Sequence, residues 1–269
     1  MDLARNTVTL TTDFGTKDYF VGAMKGVILG INPDAKIVDI SHEVVSHDVW
    51  GAAYLTGSSF KFFPNRTVHI VVVDPGVGST RRAIMAVTDK HYFIAPDNGV
   101  LSFVYADPAF SRVIHITSEH YFLPVIGSTF HARDIFAPCA AWLSKGVEVE
   151  KFGEEITDFV RFNIPAPRKE SASVLAGEIV YTDKFGNSIT NISFTDLRDF
   201  VESAGIESYK IQVKDMVIDK LAPFYSSINK GEHGVVVNGN GFLEIFVNHG
   251  DARRTLGLKR GDSVKVVFG

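Results

Sequence analysis

Along the first half of the chain the spacing of apolar residues alternates between two periods. Residues 7–11, 37–40 and 67–73 form short apolar runs of strand length, and the last ends in the turn signal Asp74-Pro75-Gly76. Between the first two runs lies a stretch, 18–32, in which Phe20, Val21, Met24, Val27, Ile28 and Ile31 recur at helical spacing. Asp18 stands where it would cap this helix and Pro33 where it would end it. A second helical stretch at 48–62 closes at Pro64. Runs 84–87 and 92–95, joined through Asp89-Lys90, predict a hairpin, and 112–116 adds a strand and 131–144 a helix. Strands and helices alternating in this order predict an α/β domain with a largely parallel sheet.

The pattern changes near Pro165-Ala166-Pro167-Arg168-Lys169-Glu170-Ser171, a proline-rich, charged and aperiodic stretch. Beyond it the runs are short and rich in β-formers: 178–181, 188–192, 209–213, 234–237, 242–247 and 264–268. Helical spacing returns only at 195–203 and 251–256. Closely spaced short strands with Gly and Asn turns predict a small barrel or sandwich. The expected organisation is an N-terminal α/β domain at 1–164, a linker at 165–172 and a smaller C-terminal β domain at 173–269.

Composition narrows the function more than the fold. With 45% apolar and 22% charged residues over 269 positions, the chain has the balance of a globular protein rather than a disordered one. Its net charge of −4, without any basic block, argues against a nucleic-acid partner. The longest apolar runs, 68–73 and 137–143, fall far short of the roughly 18–20 residues that span a bilayer, so no membrane role is expected. Residues 1–5 lack a positive region followed by an apolar stretch, so no secretory leader is expected and the cytoplasm is the anticipated location. A lone cysteine, Cys139, rules out an internal disulfide and a cysteine-based zinc cluster. The 21 phenylalanines serve either a core or stacking on a flat ligand.

Several polar segments stand where ligands usually bind. Thr11-Thr12-Asp13-Phe14-Gly15 follows the first strand, and an acidic residue at a strand's carboxyl end is either a turn residue or an acceptor for both hydroxyls of a ribose. No G-x-G-x-x-G and no P-loop spacing occurs, so a dinucleotide fold and a nucleotide-phosphate cradle are both unsupported. Asp74 is followed by a glycine-bent loop and then by Arg81 and Arg82, while Asp97-Asn98-Gly99 reads first as a turn with Asp97 a secondary site candidate. His131 follows Ser128 and Thr129, either of which is suited to cap the helix behind it. A histidine near a helix N-terminus tends to stay neutral and so can accept a proton. No H-x-E-x-H or H-E-x-x-H spacing is present, so no metal is expected. In the β-rich half, Phe185 offers a flat face and Asn187 an amide able to read a base edge, whereas Asn238-Gly239-Asn240-Gly241 has the pattern of a hairpin turn.

Taken together, Thr12-Asp13-Phe14-Gly15, Asp74-Pro75-Gly76-Val77-Gly78 with Arg81, Thr129-Phe130-His131-Ala132-Arg133-Asp134, the segment 183–191 and Gly241-Phe242-Leu243-Glu244-Ile245 resemble the S-adenosylmethionine hydroxide adenosyltransferases, relatives of the fluorinases and chlorinases, in order over nearly the whole chain. The resemblance implies an α/β domain followed by a β-barrel, and attack of water on C5′ of S-adenosyl-L-methionine to give adenosine and methionine, with no cofactor. It places the water-activating set on Asp74, Arg81 and His131, with Asp74 and His131 accepting protons and Arg81 keeping Asp74 ionised. It places ribose on Asp13, methionine on Asp18 and Asp183, and adenine on Phe185 and Asn187. It also implies a homotrimer with sites built between subunits. Two departures stand out: Ala132 occupies a position where glycine is usual, and Gly239-Asn240 aligns with a Ser-Arg pair of the halogenases, which leaves Asn240 as the methionine-carboxylate contact. The halogenases carry tyrosine where Asp74 stands and lack His131, and a halide beside Asp74 would be repelled. Two rival functions come from different classes: a non-catalytic sensor of the same ligand and a metal-dependent phosphoesterase. The intact Asp74, Arg81 and His131 set argues against the sensor, and the missing ligand spacing argues against the phosphoesterase.

Overall fold

The computed structural model describes residues 6–205 and 208–268, so the N-terminal residues that bear on a leader lie outside the described residues. The chain divides into two compact units, Met1–Asn163 and Ile164–Gly269.

The first unit runs β1 (Thr7–Thr12), α1 (Phe20–Ile31), β2 (Lys36–Ser41), α2 (Val49–Ser59), β3 (Val68–Val72), β4 (Ala83–Thr88), β5 (Tyr92–Pro96), α3 (Ser102–Tyr105), β6 (Phe110–Ile116), α4 (Ala137–Ser144) and β7 (Gly153–Ile156). The strands form one sheet in the order β2-β1-β3-β5-β4-β6-β7. β2, β1, β3 and β5 pair in parallel, and β4, β6 and β7 continue the sheet antiparallel. β3 is buried on both faces, as parallel central strands are. Val68, Ile70 and Val72 face one core with Met24 and Ile28 of α1, whereas Val71 and Val73 face another with Ala52 of α2. The two helices therefore cover opposite faces. Because β1 connects through α1 to β2 on one side, and β2 returns through α2 to β3 on the other, the strand order reverses between β1 and β3. That crevice is where open α/β sheets bind ligands. The parallel register sets Thr12 beside Val72, so Asp13 and Asp74 leave adjacent strands at the same end of the sheet.

The second unit contains β8 (Arg168–Ser171), β9 (Val174–Thr182), β10 (Ser188–Ser193), α5 (Phe194–Ala204), β11 (Lys210–Val213), β12 (Met216–Ile218), β13 (His233–Val237), β14 (Phe242–Val247), α6 (Ala252–Thr255) and β15 (Ser263–Val267). Its antiparallel sheet, ordered β12-β11-β15-β9-β10-β14-β13 with β8 added on β9, curls into a nearly closed barrel around Ile179, Ile192, Leu243 and Val264. β9 changes partners along its length, with Val174–Glu178 pairing β15 and Ile179–Thr182 pairing β10. A capping box between Ser193 and Asp196 starts α5, and Gly205 ends it in the left-handed region. The α/β-plus-barrel class expected from the sequence is the one observed.

Some local expectations need correction. Asp18 does not cap α1, which starts at Phe20 after Tyr19 and has no side-chain cap. Neither Ser128 nor Thr129 caps the later helix, which is preceded by His131 and a π-helical turn, Ala132–Phe136. Part of the expected linker is the edge strand β8, all of whose residues are exposed, so no buried alternation betrays it. Among the described residues no helix is long and apolar enough to cross a membrane.

Candidate active site

At the crevice between β1 and β3 a cavity of about 200 Å³ is lined by Asp13, Phe14, His47, Val72, Asp74, Val77, Thr129, Phe130, His131 and Ala132. Three loops carry its charged and titratable groups, and a fourth, between β2 and α2, adds His47. The first carries Asp13 off the end of β1, the second carries Asp74 off the end of β3 and returns with Arg81, and the third brings His131 to the start of the π-helical turn. A π-turn inserted ahead of α4 re-aims the side chains before it, a device found often at functional sites.

Asp74 and Arg81 form a forked pair. Arg81 Nε donates to Asp74 Oδ1 at 3.1 Å and Oδ2 at 2.9 Å, and Nη2 donates to Oδ2 at 2.6 Å. Their side chains are only 4% and 10% exposed, so the pair works at low local dielectric, where its geometry matters most. The guanidinium also stacks over Phe136, 5.2 Å from the ring centre. Arg81 Nη2 further donates to His131 Nδ1 at 2.8 Å. A guanidinium has donors only, so Nδ1 must present its lone pair and the neutral ring carries its hydrogen on Nε2. Burial lowers the His131 pKa, with the Arg81 charge reinforcing it against the opposing pull of Asp74 and Asp134. The ring is thus held neutral and oriented, with its one vacant lone pair occupied by Arg81.

The Asp13 carboxylate lines the same cavity, and its Oδ2 accepts the His47 N–H at 2.9 Å. His47 offers that amide from a left-handed backbone, φ 68°. No sequence signal pointed to His47, because it serves through its main chain. Phe14 and Phe130, which belong to the motifs that carry the family resemblance, pack edge to face at 6.0 Å on the cavity's apolar side. The third loop is fixed by Asp134, fully buried, which accepts from the Gly127 amide at 2.8 Å and from Arg133 at 2.6 Å. Gly78 lets the second loop touch the third, since a Cβ there would lie 2.1 Å from the Ser128 carbonyl oxygen, and its φ is +78°.

The remaining sequence candidates fall elsewhere. Asp18 is exposed in the turn before α1 and does not line the cavity. In the second unit, Asp183 ties its own loop, accepting from the amides of Phe185 at 2.9 Å and Asn187 at 2.8 Å. That closed loop holds the Phe185 ring 75% exposed, while Asn187 is buried beside it. Asn240 sits in the β13–β14 turn, its amide bonded to Asn238 Oδ1 at 3.0 Å. Among the described residues no group of three or more His, Cys, Asp or Glu side chains is gathered to hold a metal ion.

A family model described as the SAM hydroxide adenosyltransferase N-terminal domain matches residues 8–153, and the model of the corresponding C-terminal domain matches 177–265. The chain belongs to the SAM hydroxide adenosyltransferase family. It is 33% identical to an (R)-S-adenosyl-L-methionine hydrolase of Methanocaldococcus jannaschii, with 97% of this chain and 95% of that protein covered. A fluorinase of an Actinoplanes species is 28% identical over 96% of each chain. Among solved structures, an uncharacterized conserved protein from Thermotoga maritima superposes with a TM-score of 0.88 at 36% identity, covering 97% of this chain and 100% of that one.

Proposed function

We propose that this SAM hydroxide adenosyltransferase hydrolyses S-adenosyl-L-methionine to adenosine and L-methionine by in-line attack of water on C5′. The observation that carries the reading is the hydrogen-bonded set Asp74, Arg81 and His131 beside Asp13 at the strand-order reversal. In the reaction the C5′–S bond breaks with its electron pair going to sulfur, so a sulfonium leaves as a neutral thioether and needs no general acid. The demand falls on the nucleophile, a weak one that must be held about 3–3.5 Å from C5′ and relieved of a proton as its oxygen bonds to carbon. Asp74 takes that proton and releases it to solvent. His131 has Nδ1 engaged by Arg81 and Nε2 protonated, so it serves by donating to the water and orienting it. This differs from the proton-accepting role expected from sequence. Asp13 receives the ribose hydroxyls, Asp18 and Asp183 the methionine end, Phe185 and Asn187 the adenine, and Asn240 the carboxylate. The relatives' names extend the reading to the (R) epimer at sulfur. A cytoplasmic homotrimer whose sites draw on neighbouring subunits completes the proposal.

Turnover in ¹⁸O-water with each sulfonium epimer, followed by mass spectrometry, tests it. The label is expected at the 5′-oxygen of adenosine, with no 5′-chloro-5′-deoxyadenosine formed in concentrated chloride. Bound but unconverted substrate would make the protein a sensor, and a halogenated nucleoside would make it a halogenase. Either result overturns the reading.

A further inference from the structure

The loop that delivers Asp74 and Arg81 is glycine-bent, with Gly76 and Gly78 inside it, and its internal hydrogen bonds are few and local: Val77 N–H to the Asp74 carbonyl, Ser79 to the Gly76 carbonyl through both its N–H and its hydroxyl, and the Arg81 N–H to Ser79 Oγ at 3.2 Å. These bonds shape the turn from within, and none of them anchors its stems to the rest of the sheet. Both of its stems are instead tied to one dipeptide, Asp97-Asn98, in the turn that follows β5. Asn98 Nδ2 donates to the Val73 carbonyl at 2.8 Å, fixing the peptide that precedes Asp74. Asp97, with a side chain 3% exposed, receives Arg82 Nη2 at 2.6 Å and Nε at 2.8 Å, and its own N–H donates to the Arg82 carbonyl at 3.0 Å. That same carbonyl accepts Arg81 Nη1 at 3.5 Å. The Val160 amide and Asp158 complete the clamp, the first on the other Asp97 oxygen at 2.8 Å and the second on Arg82 Nη1 at 2.7 Å.

We infer that Asp97 and Asn98 are positioning residues for the water-activating set, bracketing the loop so that Arg81 stays aligned with both Asp74 and His131. The inference rests on the hydrolase reading only for its kinetic consequence. Its geometric content is that Asn98 and Asp97 hold the Arg81–His131 hydrogen bond without touching either residue's side chain. A purely structural role would cost stability alone, whereas a positioning role costs the chemical step. A misaligned fork loses effective molarity at the reacting atoms while the binding surfaces survive.

Asn98→Asp separates these possibilities. It keeps an oxygen to accept the Val100 amide, 3.2 Å away in the parent, and so keeps the turn, but it removes the donor to Val73. The expected result is kcat at least tenfold lower with KM for S-adenosyl-L-methionine within threefold. The ¹⁵N spectrum of His131, assigned by difference against His131→Gln, should lose its parent Nε2–H tautomer pattern. Asp97→Asn, which retains an acceptor for Val160 but not the charge opposite Arg82, should do the same in both readouts. Parent kcat together with an unchanged His131 spectrum in folded Asn98→Asp overturns the proposal. Failure of both variants to fold also overturns it, since the dipeptide would then hold the fold rather than the loop. If the parent itself shows no turnover, the hydrolase reading fails and the spectra alone decide the positioning role.

Discussion

A guanidinium has five donors and no acceptor, and that asymmetry separates two histidines of this chain, one that faces an arginine and one that does not. At His131 it fixes the tautomer, because a ring nitrogen facing Arg81 has only its lone pair to offer. Among the described residues His69 has no such partner. The ring is fully buried in β3, bonded to Thr9 Oγ1 at 2.8 Å through Nδ1 and stacked on Phe93 at 4.8 Å, and among the described residues its Nε2 meets no partner. Burial, with the charge of His91 adding to it, pushes its pKa down to about 3. The folded value lies below the unfolded one of about 6.5, so the unfolded chain takes up the proton first as pH falls. The contribution is therefore fully present above pH 6.5 and is lost progressively from there toward pH 3. The slope limit is about 1.4 kcal/mol per pH unit for one group. Urea titrations at pH 7 and pH 5 should show a fall in unfolding free energy that is smaller in His69→Gln than in the parent. Equal falls would show that His69 is not the group responsible.

At the scale of elements, the site depends on how closely loops approach one another. Gly78→Ala asks an L-residue to sit at φ +78° with its methyl against the Ser128 carbonyl, a backbone atom that cannot step aside cheaply. The loops bearing Asp74 and His131 must then separate. The variant is expected to lose about 1–3 kcal/mol of stability by urea denaturation and at least tenfold in kcat. Unchanged turnover would mean that the contact is not needed for alignment. The same elements show what sequence can and cannot reveal. The β4–β5 hairpin was legible because its apolar runs flank the polar Asp89-Lys90, and α5 because helical spacing returns at 195–203. β8 and β12 were not. The first is wholly exposed, and the second buries only Ile218, so neither carries an alternating stripe. Asp13 and Asp74 could be placed at strand ends from pattern alone. That they share one crevice depends on β1 and β3 being neighbours in register, a non-local fact that no local period contains. Arg81 and His131 stand fifty positions apart, and only the fold makes them hydrogen-bond partners.

The two halves of the molecule achieve stability by different plans. The first unit sandwiches its sheet between two apolar cores, one on each face. The second wraps a single core in one curled sheet, and β9 belongs to both arms of that sheet, joining β15 through its first five residues and β10 through its last four. Native-state hydrogen exchange of the intact protein should therefore find amides along β9, β10 and β15 opening with one common free energy and with the same denaturant dependence. Independent opening of the β10 and β15 arms would contradict this. The consequence extends to how the barrel is made. The barrel cannot close until this one strand has found both β10 and β15. Its pairings with β10 are local in sequence, but those with β15 span almost the full length of the unit. Closing that long loop is the slow, entropically costly event, so the barrel is expected to form late and all at once, from the chain's end inward to a strand laid down near its beginning.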